Sequence, residues 1–311
     1  MVLIMSSTPQ PSNSSRPDKA PSSGDASRPD DSPSPSDPVL CIVPAHNEGS
    51  RVGAVVRALI GQGLPVLVVD DGSSDDTVDA ARAAGARVLS LTPNRGKGAA
   101  LKAAFRYALD EVPQPGIACA QPRRSEDARP GSETDLANAE PGREISLANA
   151  ANPAAAEGWA AFLTLDGDGQ HDPAEAQGLI RTWSATGADL VVGARDYRSM
   201  PPVRRFTNSV SRVFFSWAVG ERILDNQSGY RLRTRRLAEA TLASPEEGFA
   251  FEVEEIAICV GRGYGLAWLP IKTIYGTEVS DIKPWSHFLG FVRVTARARR
   301  RVGEERRASA M

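Results

Sequence analysis

Within seven residues, Asp166, Gly167, Asp168, Gly169, Gln170, His171 and Asp172 bring together three carboxylates, an amide oxygen and an imidazole. They follow directly on the apolar run Trp159–Leu165, which places the cluster at the C-terminal end of an expected buried strand. Two glycines let the backbone turn tightly there. Asp166 and Asp168 are two positions apart, so a bent loop, or a strand end, can aim both carboxylates at one point. Such a point suits a hard divalent cation that also holds a phosphate. Read alone, the same string is equally an acidic turn with an Asp capping a helix before Pro173.

The surrounding sequence supplies the elements that would hold this cluster. Val39–Val43 reads as a short apolar strand, and Val52, Val55, Val56, Leu59 and Ile60 then recur at helical spacing. Pro65 breaks that helix before the strand Val66–Val69. Ser74 or Asp75 can cap a helix carrying Val78, Ala81 and Ala84, and Arg87–Leu91 is a third strand. Leu101, Ala104, Phe105, Ala108 and Leu109 mark another amphipathic helix. Trp159–Leu165 and Asp189–Val192 are further strands, separated by a helix near Ala174–Thr186. This order predicts an α/β domain, a mostly parallel sheet with helices on both faces.

Polar strings follow these strands in a regular way. Pro44-Ala45-His46-Asn47-Glu48 follows the first strand and Asp70-Asp71-Gly72-Ser73 the second. Asn94-Arg95-Gly96-Lys97-Gly98 follows the third after two residues, and the Asp166 cluster follows Trp159–Leu165. In a parallel sheet all strand C-termini share one edge, where ligands bind, so the four strings are expected to converge.

The chain has 311 residues, 41% hydrophobic and 24% charged, enough for one large domain with additions. A formal net charge of −2 argues against a general nucleic-acid binder. Cys41, Cys119 and Cys259 lack metal-ligand spacing, and Cys41 and Cys259 read as reduced core residues of a cytoplasmic protein. No run of 18 apolar residues reads as a transmembrane helix, and Val2–Met5 is too short for a signal peptide. Residues 1–38, rich in Ser, Pro, Asp and Arg, are expected to be a disordered tail. A second biased segment, about 112–158, reads as a surface insertion in a domain spanning 39–285. Residues 286–311 form a basic C-terminal amphipathic segment, in which Phe288, Leu289, Phe291 and Val292 precede Arg293, Arg297, Arg299, Arg300 and Arg301. That segment could lie on an anionic membrane, at the inner face of the bilayer, or pack on the domain as a terminal helix.

The ordered set P-A-H-N-E, D-D-G-S-S-D-D-T, N-R-G-K-G and D-G-D-G-Q-H-D resembles the inverting family-2 glycosyltransferases of the GT-A (Rossmann-like) fold. The likeness spans roughly 39–285 and is greatest to the polyprenyl-phosphate sugar transferases, such as dolichyl-phosphate mannose synthases and their bacterial relatives. The resemblance implies that Pro44, Ala45 and Glu48 contact the base and ribose of a nucleotide-sugar donor, as does Asp71. It implies that Lys97 neutralises nucleotide charge and that Asp166, Asp168 and Gln170 hold Mg²⁺ or Mn²⁺ bridging the donor's two phosphates. His171 has no Cys or second His near it in sequence and is expected to be a loop residue rather than a zinc ligand.

Further along, Gly193-Ala194-Arg195 resembles the family's G-S-R turn, which makes Arg195 a candidate phosphate ligand. Arg205 with Ser209 matches the pair that binds a lipid phosphate, on a helix whose expected apolar face is Phe206, Val210, Val213, Phe214 and Trp217. Asp225 opens the string D-N-Q-S-G-Y-R. It would serve as general base toward a hydroxyl acceptor or, with a phosphate acceptor, would orient Arg231 or another cation. Phe251-Glu252-Val253-Glu254 matches an F-E-x-E helix, and Lys272–Pro284 resembles an acceptor loop that closes over the nucleotide. The expected activity is metal-dependent hexose transfer from a UDP- or GDP-sugar to a polyprenyl phosphate. The alternatives are a soluble or polysaccharide hydroxyl acceptor on the same fold, or a non-catalytic nucleotide-sugar-binding protein.

Overall fold

The computed structural model describes residues 33–110, 158–195, 202–248, 250–272 and 284–309. The expected tail up to residue 32, nearly all of the 112–158 insertion and most of the Lys272–Pro284 loop lie outside the described residues.

Val39–Ala45 (β1) and Val66–Asp71 (β2) are buried at every position, which explains the apolar runs Val39–Val43 and Val66–Val69. Arg87–Leu91 (β3) lies outside β2, and Ala161–Thr164 (β4) pairs parallel with β1 on its other side. Beyond β4 come Arg231–Thr234 (β6), Leu190–Arg195 (β5) and Leu266–Ile271 (β7), giving the order β3-β2-β1-β4-β6-β5-β7. Only β6 runs against its neighbours: Thr164, the last residue of β4, and Val192, midway along β5, both register with Arg231, the first residue of β6. The loop that leads into β6 therefore arrives at the same edge as the C-termini of the parallel strands. One reversed strand thus adds the Asp225–Tyr230 string to the functional rim.

Alternating side chains of β1 face two cores. Cys41 and Val43 pack with Gly49–Ile60 (α1) and Ala176–Thr186 (α4), through residues such as Val56, Leu179 and Trp183. Leu40 and Ile42 pack on the other face with Ala100, Leu101, Ala104 and Phe105 of Lys97–Asp110 (α3). Each large apolar side chain so buried contributes about 1.5–3 kcal/mol. Thr77–Ala83 (α2) packs beside α1. Asp75, not Ser74, binds the first amide of α2, at 3.0 Å, and also the Gly49 amide of α1 at 3.0 Å.

A third core lies under β5 and β7. It combines Phe215 and Val219 of Pro202–Val219 (α5), Leu237 of Arg235–Thr241 (α6), Ile256 and Ile258 of Ala250–Gly261 (α7), and Ala298 and Val302 of Pro284–Ser309 (α8). The described part of the basic C-terminal segment thus packs on the domain, and α8 begins slightly before residue 286. The side chains of 284–292, including Phe288 and Leu289, lie outside the described residues. Cys41 and Cys259 are buried free thiols whose ionisation burial pushes far up.

Candidate active site

The four strings meet at the C-terminal edge and brace one another through backbone groups. Asn47 adopts a left-handed conformation (φ 57°), tolerated by Asn, and its Oδ1 accepts the Ser74 amide at 2.9 Å. The Glu48 amide donates to Thr77 Oγ1 at 2.7 Å, which ties the first turn to the second. The Glu48 carboxylate pairs with Arg51 at 3.0 Å. Asp71 accepts the Arg95 amide at 3.0 Å and the Gly96 amide at 2.7 Å, so the second turn holds the third. The Gly167 amide reaches the Pro44 carbonyl at 3.3 Å, and a Cβ on Gly167 would lie 3.3 Å from that of Ala45. Pro44, Ala45, Glu48, Asp71, Lys97, Asp166 and Asp168 accordingly line one rim.

The glycines of the third string are closely approached by protein atoms. A Cβ on Gly96 would meet the Glu247 carbonyl oxygen at 2.9 Å, and one on Gly98 would meet Phe251 Cβ at 2.7 Å. The close approach is by the α6–α7 connection and the first turn of α7. That crowding sets Lys97 at the start of α3, where its Nζ lies 2.5 Å from Asp166 Oδ1 and 2.7 Å from Glu252 Oε1. Burial pulls the Lys97 ammonium toward losing its proton, but the two carboxylates outweigh this and hold it well above the usual lysine range. Asp166 is likewise raised by burial and then brought below the usual carboxylate range by Lys97.

Asp168 behaves differently. Its Oδ1 accepts the Gln170 amide at 2.9 Å, yet burial, reinforced by the charge of Asp166, raises its pKa. Two neighbouring desolvated carboxylates, one of them without an ion-pair partner among the described residues, fit a divalent ion. Among the described residues no cluster of three His, Cys, Asp or Glu side chains is arranged to hold a metal. Two carboxylates, with the side-chain amide of Gln170 that the resemblance adds, would make an all-oxygen set suited to an ion completed by substrate phosphates and water. His171 is buried against Tyr230, with ring centroids 5.3 Å apart, and its Nδ1 has no partner among the described residues. Burial lowers its pKa, so it is held neutral.

Arg195 ends β5 within the strand rather than in a turn after it. Its Nε and Nη2 reach Asp225 Oδ2 and Oδ1 at 2.7 and 3.0 Å. Asp225 is fully buried and also accepts the backbone amides of Gln227 and Ser228. Burial raises its pKa, but Arg195 more than compensates and leaves it below the usual range. The cation that Asp225 orients is therefore Arg195, whereas Arg231 turns to Glu255 (3.0 Å) and to the Ser228 carbonyl (2.7 Å). Arg205 and Ser209 lie one turn apart on α5, with Arg205 exposed and Ser209 half-buried. Residues 196–201, between them and Arg195, lie outside the described residues.

Sequence reasoning missed the ion pairs beneath the rim. Arg231 and Arg233, both fully buried, flank Glu255, and Arg233 also reaches Thr164 Oγ1 at 3.1 Å, two residues before Asp166. The period-2 spacing of the arginines, on one face of a strand, was the available signal. The apolar face of α5 is also displaced: Phe215 is buried, while Val213, Phe214 and Trp217 are 63%, 54% and 67% exposed.

Comparison with known proteins bears on the family and the fold. Residues 40–112 match the family model Glycosyl transferase family 2. Glycosyltransferase AglJ of Haloferax volcanii is 27% identical over 251 residues, 79% of this chain and 66% of that protein. An uncharacterized protein of Methanocaldococcus jannaschii is 26% identical over 262 residues, covering 82% of this chain and 88% of that one. Among solved structures, glucosyl-3-phosphoglycerate synthase of Mycobacterium tuberculosis with Mn²⁺, UDP and glucosyl-3-phosphoglycerate superposes with a TM-score of 0.53. It is 18% identical, covering 86% of this chain and 81% of that one. The same enzyme with Mg²⁺ and UDP gives a TM-score of 0.56. The chain is a glycosyltransferase with the GT-A fold.

Proposed function

We propose that this glycosyltransferase moves a hexose from a UDP- or GDP-sugar to a polyprenyl phosphate, with inversion at the anomeric carbon. Pro44, Ala45, Glu48 and Asp71 form the base and ribose side of the donor site. Asp166, Asp168 and Gln170 hold Mg²⁺ or Mn²⁺, which when bound supplies charge stabilisation to the departing diphosphate. An acceptor phosphate oxygen forms a bond to the anomeric carbon as the bond to the diphosphate oxygen breaks, and that oxygen leaves with the electron pair. Arg195, aligned by Asp225, supplies positive charge beside the transfer, and Lys97 balances the carboxylates beneath it. Positioning and electrostatics carry the catalysis.

The observation that carries the phosphate acceptor is the state of Asp225. Both of its oxygens are committed to Arg195 and to backbone amides, so it is a weak base toward a hydroxyl. A phosphate acceptor, with a second pKa of about 6, needs no base at neutral pH. Arg205 and Ser209 are the candidate ligands for that phosphate. Support for a lipid carrier comes from α5, which is exposed at Val213, Phe214 and Trp217 and carries no acidic residue. Arg299 of α8 stacks on Trp217 at 4.5 Å, and Arg293 and Arg300 are exposed nearby in sequence. An apolar face bordered by cations suits the surface of an anionic bilayer. Among the described residues no helix is long and apolar enough to cross a membrane.

A second reading is a small water-soluble phosphate acceptor, favoured by the phosphoglyceric acid bound in complexes of the mycobacterial enzyme. The deciding assay incubates labelled UDP- and GDP-sugars with Mn²⁺ and either a polyprenyl phosphate in detergent or 3-phosphoglycerate. Label in an organic-extractable, mild-acid-labile product that disappears in Asp168→Ala supports the lipid reading. Transfer only to water-soluble acceptors removes it.

A further inference from the structure

Lys97 is shared by two carboxylates from different elements, Asp166 at the end of β4 and Glu252 in the first turn of α7. Glu252 is almost fully buried, so solvent cannot replace it as a partner for the lysine. Its place is fixed from behind: its carbonyl accepts Arg231 Nη1 at 2.5 Å, and Arg231 is itself locked on Glu255. In front, Gly229 leaves room for the pair, since a Cβ there would lie 2.5 Å from Lys97 Nζ and 2.8 Å from Asp166 Oδ2.

A carboxylate that ligates a divalent ion must loosen its hold on any other cation. If Lys97 had Asp166 alone, metal binding would compete with a buried ion pair and leave the ammonium without a partner, which is costly in a desolvated site. We infer that Glu252 is a positioning residue of the donor site, retaining Lys97 while Asp166 turns its oxygen to a divalent cation that holds the diphosphate. Lys97 thereby balances Asp166 in the free protein and remains paired, through Glu252, in the loaded one. The inference rests on the proposed role of Asp166 as a metal ligand.

The test is Mn²⁺ binding at fixed UDP, read from the electron paramagnetic resonance of free Mn²⁺ and, separately, by calorimetry. The full chain is compared with Glu252→Gln and with Lys97→Met/Glu252→Gln. Glu252→Gln is expected to weaken Mn²⁺ binding by about 10-fold, the scale of outer-shell effects on metal sites. The double variant, which removes the competitor as well, is expected to recover to within about 3-fold of the parent. Unchanged binding in Glu252→Gln overturns the inference, as does a double variant no better than the single one. Should Glu252→Gln melt below the assay temperature, Glu252→Asp keeps the charge one methylene shorter. A smaller loss in the same direction is then expected, and no loss overturns the inference. A parent protein that binds UDP without any dependence on Mn²⁺ removes the metal reading itself, a result distinct from failure of the Glu252 role.

Discussion

Arg195 lies along Asp225 in a two-point contact, Nε to Oδ2 at 2.7 Å and Nη2 to Oδ1 at 3.0 Å, with the carboxylate fully buried. Removing one charge from such a pair leaves the other stranded. Asp225→Asn is expected to destabilise the protein by about 3 kcal/mol at pH 7. Because Arg195 lowers the pKa of Asp225, its stabilisation is present above the usual carboxylate value of 3.8 and is lost as pH falls through the lower folded value. The gap between parent and variant in denaturant unfolding should therefore narrow toward low pH. Equal stability at pH 7 would show that the pair contributes nothing.

Asp71 joins the second and third turns by accepting two backbone amides of the Asn94–Gly98 string. Asp71→Asn turns one acceptor into a donor facing an amide. A loss of about 2 kcal/mol follows from that mismatch. Because the same turn sets Lys97, UDP affinity measured by calorimetry should fall as well. Unchanged UDP affinity in Asp71→Asn would remove Asp71 from the donor site.

Gly98→Ala should cost about 1–3 kcal/mol in thermal and chemical unfolding through overpacking against Phe251 and the Glu247 backbone. A neutral result would mean that the α6–α7 connection yields freely. The position also shows what the sequence could reveal. The strands Val39–Ala45 and Val66–Asp71 were legible because both faces are buried and the runs are apolar. The convergence of the polar strings followed from parallel topology alone. By contrast, Arg231–Thr234 is not among the expected strands, and the pairing of Arg231 and Arg233 with Glu255 lets its charges lie inside the sheet. The partner of Asp225 was illegible for a similar reason: Arg195 and Arg231 are both near it in the fold, and nothing in their spacing chooses between them. The outward face of α5 was misjudged because periodicity identifies an apolar stripe without saying what covers it.

Trp217→Glu tests the role of that stripe. Trp217 is mostly exposed, so the main stability cost is its contact with Arg299, no more than about 1 kcal/mol. Co-sedimentation with vesicles containing anionic lipid should drop markedly, and parent binding should weaken with salt. Parent protein that ignores such vesicles at low ionic strength would sink the membrane contact while leaving the transferase chemistry intact.

Arg235, just past the end of β6, touches both chain ends that bound the 111–157 stretch. Its Nη2 donates to the Leu109 carbonyl at 3.0 Å, and a Cβ on Gly158 would lie 2.7 Å from its Nη1. Both ends belong to the sheet margin opposite the catalytic rim, since α3 starts at that rim and β4 finishes there. A single guanidinium thus bridges the two described ends, Leu109 and Gly158, between which forty-odd residues of sequence lie. That stretch is a natural graft point: a short linker, a fluorescent reporter or a foreign module installed there would hang from the enzyme's back and leave sugar transfer at its front untouched.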